Sequence, residues 1–389
     1  MRPTLTILIP TRNRANLAIA AIRSVTTNAG GEGITIIVSD NSTEPSDSSI
    51  LGQYVGEAGN ISLRLIKPPR AMSMTEHWEW ALATAIRMTL SSHFCILTDR
   101  MLFRPGTLKR LMDLIALHPH EVISYTYDRI HDYSRPIVYQ PLPRSGQILK
   151  LSSGHLLLMS AKMKFKSCLP RMLNSVAPRE SLLRLRSRFG TVFDSVSPDY
   201  CYCYRTLNVE QSFIFYDKSI LLSYAHDRSN GAATARGSES SDHKDFLQTL
   251  AKESINRNTL LPDLMTVGNA VINEFNFVKQ EIGHSGYGEV DRSAYLNFLA
   301  NEVLRFEDLR ARENSLRALR EAGWQESRRS LAQKIKDALA HLALSVPSRN
   351  FNTVGEAINY ALTHEPLTHR IFVGLSRDIR GYALVERSN

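Results

Sequence analysis

Short apolar runs alternate with stretches of helical periodicity over the first 120 residues. Thr4 to Ile9 (TLTILI) is rich in β-branched residues and closes at Pro10, and the patterned stretch from Ala15 to Thr26 predicts a helix after it. Ile34 to Ser39 (ITIIVS) repeats the buried-strand pattern and runs into the polar cluster Asp40-Asn41-Ser42-Thr43. Ile61 to Ile66 (ISLRLI) predicts a third strand, stopped by Pro68-Pro69. A helix over residues 74 to 90 follows, then a short strand from Phe94 to Leu97 ending in Thr98-Asp99-Arg100, then Pro105-Gly106 and a helical stretch to about His118. Strands separated by helices at this spacing predict an α/β fold with a mainly parallel sheet covered on both faces. From about Ser240 the pattern changes to long helical periodicity, with mixed charge from Glu302 to Leu342, which predicts a separate helical C-terminal region over residues 236 to 389.

Composition narrows the class. With 389 residues, 43% of them hydrophobic, the chain can build a sizeable core, so disorder is excluded as its main state. Its 20 glycines and 16 prolines are too few for a collagen-like or low-complexity chain. Four cysteines (Cys95, Cys168, Cys201, Cys203) show no C-x-x-C spacing, which argues against a structural zinc site and for a reducing compartment. Cys201 and Cys203 read as core residues. The first apolar run is too short for a signal peptide, and no stretch approaches the roughly 18 apolar residues of a membrane span. The expected location is therefore cytoplasmic, with peripheral membrane contact left open by the charge pattern. Net charge is +9. Residues 144 to 190 hold ten Lys or Arg against the single acid Glu180, a segment that suits an anionic membrane face, a phosphorylated or otherwise anionic acceptor, or plain solvent. No aromatic-rich basic module accompanies it, so nucleic acid is not an expected partner.

In open α/β sheets ligands gather at the carboxyl ends of the strands. Three polar clusters fall there in succession: Thr11-Arg12-Asn13-Arg14, Asp40-Asn41-Ser42 and Thr98-Asp99-Arg100. Arg12, Arg14 and Arg100 offer charge-assisted donors, which points to a ligand carrying phosphate. Asp40 reads either as a ligand-binding carboxylate or as a turn- or helix-capping one. Ser197-Pro198-Asp199 reads as a helix start, with Ser197 at the N-cap and the helix dipole keeping Asp199 ionised. His226 lies in a loop beyond the strand-like run Ser219 to Ser223. Ser229-Asn230-Gly231 reads as a turn able to act as a lid. The isolated His284, His341, His364 and His369 read as surface or interface residues rather than ligands.

Taken together, LTILIPTRNRANL (5 to 17), ITIIVSDNS (34 to 42), MTEHWEWALATA (74 to 85), CILTDRMLFRPGTL (95 to 108) and SPDYCYCYR (197 to 205) resemble the family 2 glycosyltransferases of the GT-A fold. The resemblance covers roughly residues 3 to 231. It implies a GT-A domain over residues 1 to 235, with a nucleotide-binding half (1 to 120) and an acceptor half (121 to 235). The activity it implies is inverting transfer of a sugar, of hexosyltransferase type, from a nucleotide-sugar donor to an acceptor hydroxyl in polysaccharide or glycoconjugate synthesis. Pro10, Thr11, Asn13, Arg14 and Asp40 would then hold the nucleotide, with His77, Trp78 and Trp80 along the donor pocket. Asp99 and Arg100 would meet the diphosphate, and Asp199 would be the general base, with Asp194 as fallback. The family's Asp-x-Asp is reduced here to Thr98-Asp99-Arg100. That departure weakens a Mn²⁺ or Mg²⁺ site at Asp99, with His226 as a further ligand, and offers Arg100 as a metal-free substitute. Arg205 reads as a phosphate ligand or a helix-closing residue. A nucleotidyltransferase of the same core, or an inactive binding module in which Arg100 pairs with Asp99, are the alternatives. Donor base, acceptor and oligomeric state are not legible.

Overall fold

The computed structural model describes residues 4–28, 33–57, 62–133, 135–141, 144–237, 258–283, 287–326 and 348–364, with residues 244 and 248. Its first part alternates strand and helix: β1 (Leu5–Thr11), α1 (Ala15–Thr26), β2 (Ile34–Asp40), α2 (Pro45–Glu57), β3 (Ser62–Ile66), α3 (Met74–Met88), β4 (His93–Ile96), β5 (Met101–Phe103) and α4 (Thr107–Leu117). A more irregular middle follows: β6 (Ile123–His131), β7 (Ile137–Gln140), β8 (Ile148–Ser152), α5 (Ser153–Ala161), β9 (Ser175–Pro178), α6 (Arg179–Phe189), α7 (Pro198–Val209), β10 (Ser212–Ser223) and α8 (Asn230–Arg236). The last part holds α9 (Val267–Glu281), α10 (Arg292–Val303), α11 (Leu309–Glu321), β11 (Arg349–Phe351) and α12 (Val354–Thr363).

All eleven strands join one sheet, in the order β11-β7-β6-β9-β4-β1-β2-β3, with β10 beside β6 and also pairing β5 and β8. The expected α/β sheet is present, but its parallel character is confined to β3-β2-β1-β4 and the β6-β10 pair. β9 inserts antiparallel between β4 and β6, and the remaining ladders are antiparallel too. Burial explains the uninterrupted apolar runs. In β1, Leu8 faces one core while Leu5, Ile7 and Ile9 face another; β4 repeats this with Phe94 and Ile96 against Cys95 and Leu97. A strand covered on both faces has no polar side to show.

α1 spans the predicted residues, whereas α2 was not expected. Its sequence, PSDSSILGQYVGE, contains Gly52, Gly56 and three serines, all poor helix formers. Tertiary contacts carry it instead: Leu51 is fully buried, and Asp47 in its first turn accepts from Ala15 N at 2.6 Å.

The described part of the helical C-terminal region packs on the rest of the chain. Val271, Ile272, Phe275 and Val278 of α9 and Tyr295, Leu296 and Leu299 of α10 belong to the same apolar cluster as Trp78, Phe94 and Phe193. β11 extends the sheet by pairing with β7, and α12 packs beside Leu102 and Leu222. Arg205, a suspected phosphate ligand, is instead fully buried and joins the two regions, donating to Glu281 through Nε (3.0 Å) and Nη2 (2.6 Å) and to the Thr191 carbonyl (3.0 Å). Its Nη2 also meets Asp194 at 3.4 Å, so the fallback base is spent on this ion pair.

The basic segment from 144 to 190 does not form one patch, because the fold disperses it. Arg144 pairs with Asp217, Lys150 with Glu121, Arg184 with Glu210 and Arg186 with Glu79. Arg179 donates to the carbonyls of Ile86, Thr89 and Ser91 at the end of α3. All four cysteines are buried and unpaired. Among the described residues, no helix is long and apolar enough to cross a membrane.

Candidate functional site

A cavity of about 990 Å³ opens at the carboxyl ends of β1, β2 and β4 and is closed on its far side by α7, α8 and α9. Its first wall comes from the loops after β1 and β2. Asn13 adopts a left-handed backbone (φ +53°), a conformation that asparagine tolerates better than most residues. Its side-chain oxygen accepts from Thr43 N (2.9 Å) and Glu44 N (3.1 Å), which clamps the two loops together. Asn41 lines the same wall and exchanges two hydrogen bonds with Met72, at 2.8 and 3.0 Å.

Asp40 does not line the cavity. Its oxygens accept from Ser42 N (2.9 Å) and Ser48 Oγ (2.5 Å). Burial alone would raise its pKa, but these hydrogen bonds and nearby Lys67 outweigh it and hold the carboxyl below the usual range. Of the two readings of Asp40, the geometry has the turn-holding one. His77 lines the floor with its Nε2 2.7 Å from Ser39 Oγ, kept neutral by burial with its pKa pushed down to about 4. Trp78 lines the cavity while packing edge-on against Phe193 at 5.6 Å, and Trp80 packs on the core.

At the end of β4, Asp99 is almost completely buried. It accepts from Thr11 Oγ1 at 2.9 Å and pairs with Arg14 Nε at 3.2 Å. The partner of Asp99 is thus Arg14 and not its neighbour Arg100. Arg100 lines the cavity with a buried Nε that has no hydrogen-bond partner. Burial works against its charge, with Asp99 favouring it and Arg14 opposing it, so that its pKa is lowered on balance. Among the described residues no group of three or more His, Cys, Asp or Glu is arranged to hold a metal ion.

Behind Arg100 lies a group that the strand pattern could have revealed. Tyr127 and Arg129 are two apart on β6 and therefore share a face. Tyr127 Oη accepts from Arg129 Nη2 (3.2 Å) and from Arg171 Nη2 (3.1 Å), and both guanidinium groups also approach its ring. Burial would raise the phenol pKa, but the two cations prevail and bring it down to about 7. Arg171 further donates to Tyr200 Oη (3.4 Å) and Asn174 Oδ1 (3.2 Å). No local sequence signal marks Arg171.

His226 stacks on His131 with ring centroids 6.1 Å apart, and its Nε2 lies 3.5 Å from Ser223 Oγ. Burial, then Arg100, Arg129 and His131, push its pKa down to about 3, so it is neutral across the physiological range. Its loop is fixed by Asp132, which accepts from Ala225 N (2.6 Å) and His226 N (2.8 Å). Ser229-Asn230-Gly231 is not a free turn: Ser229 caps α8 through Ala232 N, while Arg14 and Arg228 each donate to the other's loop.

Asp199 lines the cavity in the first turn of α7, with Pro198 at the first helical position. Burial outweighs both Arg171 and the backbone hydrogen bonds at Asp199 and raises its pKa. Ser197 occupies the N-cap position without a side-chain cap. The segment before it is held from a distance. Glu274 of α9, fully buried, accepts through Oε1 from Ser195 Oγ (3.0 Å), Val196 N (3.2 Å) and Ser197 N (3.0 Å). Glu274 in mid-helix reads as a solvent-facing charge until its neighbours Val271, Ile272 and Phe275 mark its face as buried. Of the isolated histidines, His364 stacks on Tyr360 away from the cavity, and His284, His341 and His369 lie outside the described residues.

Residues 6–168 match the model of the family described as Glycosyl transferase family 2. No curated protein matches the sequence. Among solved structures, TarS of S. aureus is similar at a TM-score of 0.44 and 11% identity, over 79% of this chain and 50% of that one, so the chain spans half the length of that structure. TarS 1-349 in complex with UDP-GlcNAc is similar at 0.44 and 12% identity, over 79% of this chain and 82% of that one. The mannosyltransferase PcManGT from Pyrobaculum calidifontis, in complex with GDP-Man and Mn²⁺, gives 0.43 and 13%, over 88% and 81%.

Proposed function

We propose, from the match of residues 6–168 to glycosyl transferase family 2, that the chain is an inverting glycosyltransferase that passes a sugar from a nucleoside-diphosphate donor to an acceptor hydroxyl in glycoconjugate synthesis. One observation carries the reading: a single cavity gathers Asp199, Asp99 paired to Arg14, and Arg100 with its unpartnered Nε.

The nucleoside end rests against Pro10, Thr11, Asn13 and Asn41, with Asp40 shaping the loop from behind. Arg100 meets the diphosphate. A guanidinium with an unspent Nε–H donates to phosphate oxygens and neutralises charge as the leaving group departs. The donor set suits this better than a metal cage, because Asp99 is the one carboxylate at the β4 end and is already ion-paired. Asp199 takes the proton of the acceptor hydroxyl as the new glycosidic bond forms. Its raised pKa makes it a stronger base than an exposed aspartate, and transfer should fail on the acid side at a pH above the ordinary aspartate range.

The test is a thermal-shift panel of UDP, GDP, CDP and dTDP, each with Mn²⁺ and with EDTA, on the wild type and Asp199→Asn. One nucleotide should raise Tm in EDTA, and Asp199→Asn should keep that shift while losing transfer by at least about 10²-fold. Full turnover in Asp199→Asn, or no shift with any nucleotide, overturns the reading. A shift that needs Mn²⁺ replaces Arg100 with an ion held by Asp99, His226 and the donor phosphates.

A further inference from the structure

The cavity contains more positive charge than a nucleoside diphosphate requires, and that charge falls into two groups. Arg14 and Arg100 lie at the β4 end, beside Asp99. Arg129 and Arg171 lie around Tyr127 on the side of Asp199, where Arg171 is the cation that opposes the rise in the Asp199 pKa. Arg104, Arg144, Arg184, Arg186 and Arg205 each have a carboxylate within 4 Å. For Arg129 and Arg171 none of the hydrogen-bond partners among the described residues is a carboxylate: the Tyr127 phenol serves both, and Tyr200 and Asn174 serve Arg171.

Two guanidinium groups held against one phenol repel each other, and what answers their charge is the Tyr127 phenol, whose pKa they bring down to about 7, and Asp199, which acts on Arg171 through its charge. Both cations donate to the same phenol oxygen. Arg129 is exposed within the cavity, so its remaining N–H groups face open space. Two guanidinium forks, from Arg129 and Arg171, thus converge on Tyr127 beside the proposed base. Planar forks of this kind match the oxygens of a phosphate or a carboxylate.

We propose that Arg129, Arg171 and Tyr127 form an acceptor subsite for an anionic group, so that the acceptor carries a phosphate or a carboxylate near the hydroxyl that Asp199 deprotonates. The proposal rests on the glycosyltransferase reading and deepens it. It concerns the acceptor alone: the donor's diphosphate belongs to Arg100.

The test is isothermal titration of the full chain, saturated with the best nucleoside diphosphate, using glycerol 3-phosphate, glucuronate and glycerol in parallel. At least one anion should bind, and glycerol should be more than tenfold weaker. The tighter of the two anions names the group. In Arg129→Gln, anion affinity should fall at least tenfold while nucleotide affinity stays within twofold, and Arg129→Lys should recover only part of the loss. Equal binding of glycerol and the anions, or unchanged anion affinity in Arg129→Gln, overturns the proposal. Parallel loss of nucleotide and anion affinity also overturns it, since the arginines then serve the diphosphate. If no nucleotide binds, the glycosyltransferase reading fails by itself, and the same titrations on the nucleotide-free chain still decide whether the anion subsite exists.

Discussion

Two sets of arginines flank helix α7, and the fold treats them in opposite ways. On one side Arg205 is fully buried and surrounded by acceptors: Glu281 takes two of its hydrogen bonds, Thr191 a third, and Asp194 adds charge. On the other side Arg171, Arg129 and Arg100 line one cavity, where a phenol, an amide and a neutral histidine are near neighbours and Asp199 and Asp99 act on Arg171 and Arg100 through charge. Where the ion pair is made, removing Glu281 strands the Arg205 charge in the interior. Guanidinium groups crowded into one cavity repel one another, which costs stability in the unliganded protein.

The largest expected effect is on the compensated side. Arg205→Ala should lower unfolding stability by about 3 kcal/mol, read from a urea transition, because a fully buried side chain is removed and the Thr191 carbonyl and Glu281 lose their donor. Arg100→Gln should do the reverse, leaving the urea midpoint unchanged or higher while weakening the nucleoside diphosphate by roughly tenfold or more. Equal destabilisation by both would erase the distinction between the two sides.

Acid sharpens the comparison next. The folded-state pKa of His226 is pushed to about 3 from an ordinary 6.5. Between those values the unfolded chain binds the proton and the folded chain does not, so stability is intact above pH 6.5 and is lost as pH falls toward 3. Because Arg100 is one of the causes, the acid loss should be smaller in Arg100→Gln, measured as Tm against pH. A wild-type-like slope in that variant would show that the cationic side is not coupled as described. The smallest effect is spectroscopic. Tyrosinate absorbance with a midpoint near pH 7 should vanish in Tyr127→Phe, and in Arg129→Gln the midpoint should move up toward the free-phenol value near 10. An unmoved midpoint would detach Arg129 from the phenol.

How much of this was legible differs from element to element. β1, α1 and β2 came out of the pattern within two residues, because double-sided burial produces uninterrupted apolar runs and α1 keeps a clean stripe. α2 did not, since its sequence disfavours a helix and only packing and the Asp47 cap retain it. The strand-end clusters were visible because a polar group directly after a buried strand falls where the sheet stops and the loops converge. What each would touch was not visible: Asp99 prefers Arg14, 85 residues away, to its neighbour, and Asp40 turns inward. Arg171 meets Tyr127 across 44 residues, and no period links a loop residue to a strand residue at that distance. The excess charge of residues 144 to 190 was legible but its partners were not: the acids that pair Arg144, Lys150, Arg184 and Arg186 lie in other segments, while Arg171 lines the cavity.

Glu274 has a consequence in time as well as in space. The three donors it collects sit immediately before Asp199, yet Glu274 is 75 residues further along the chain. A chain emerging in order from the ribosome therefore makes β1 to β10, the strand-end loops and helix α7 before the residue that fixes the start of that helix has been made. Until α9 docks, the segment before Asp199 lacks the three hydrogen bonds to Glu274 that hold it.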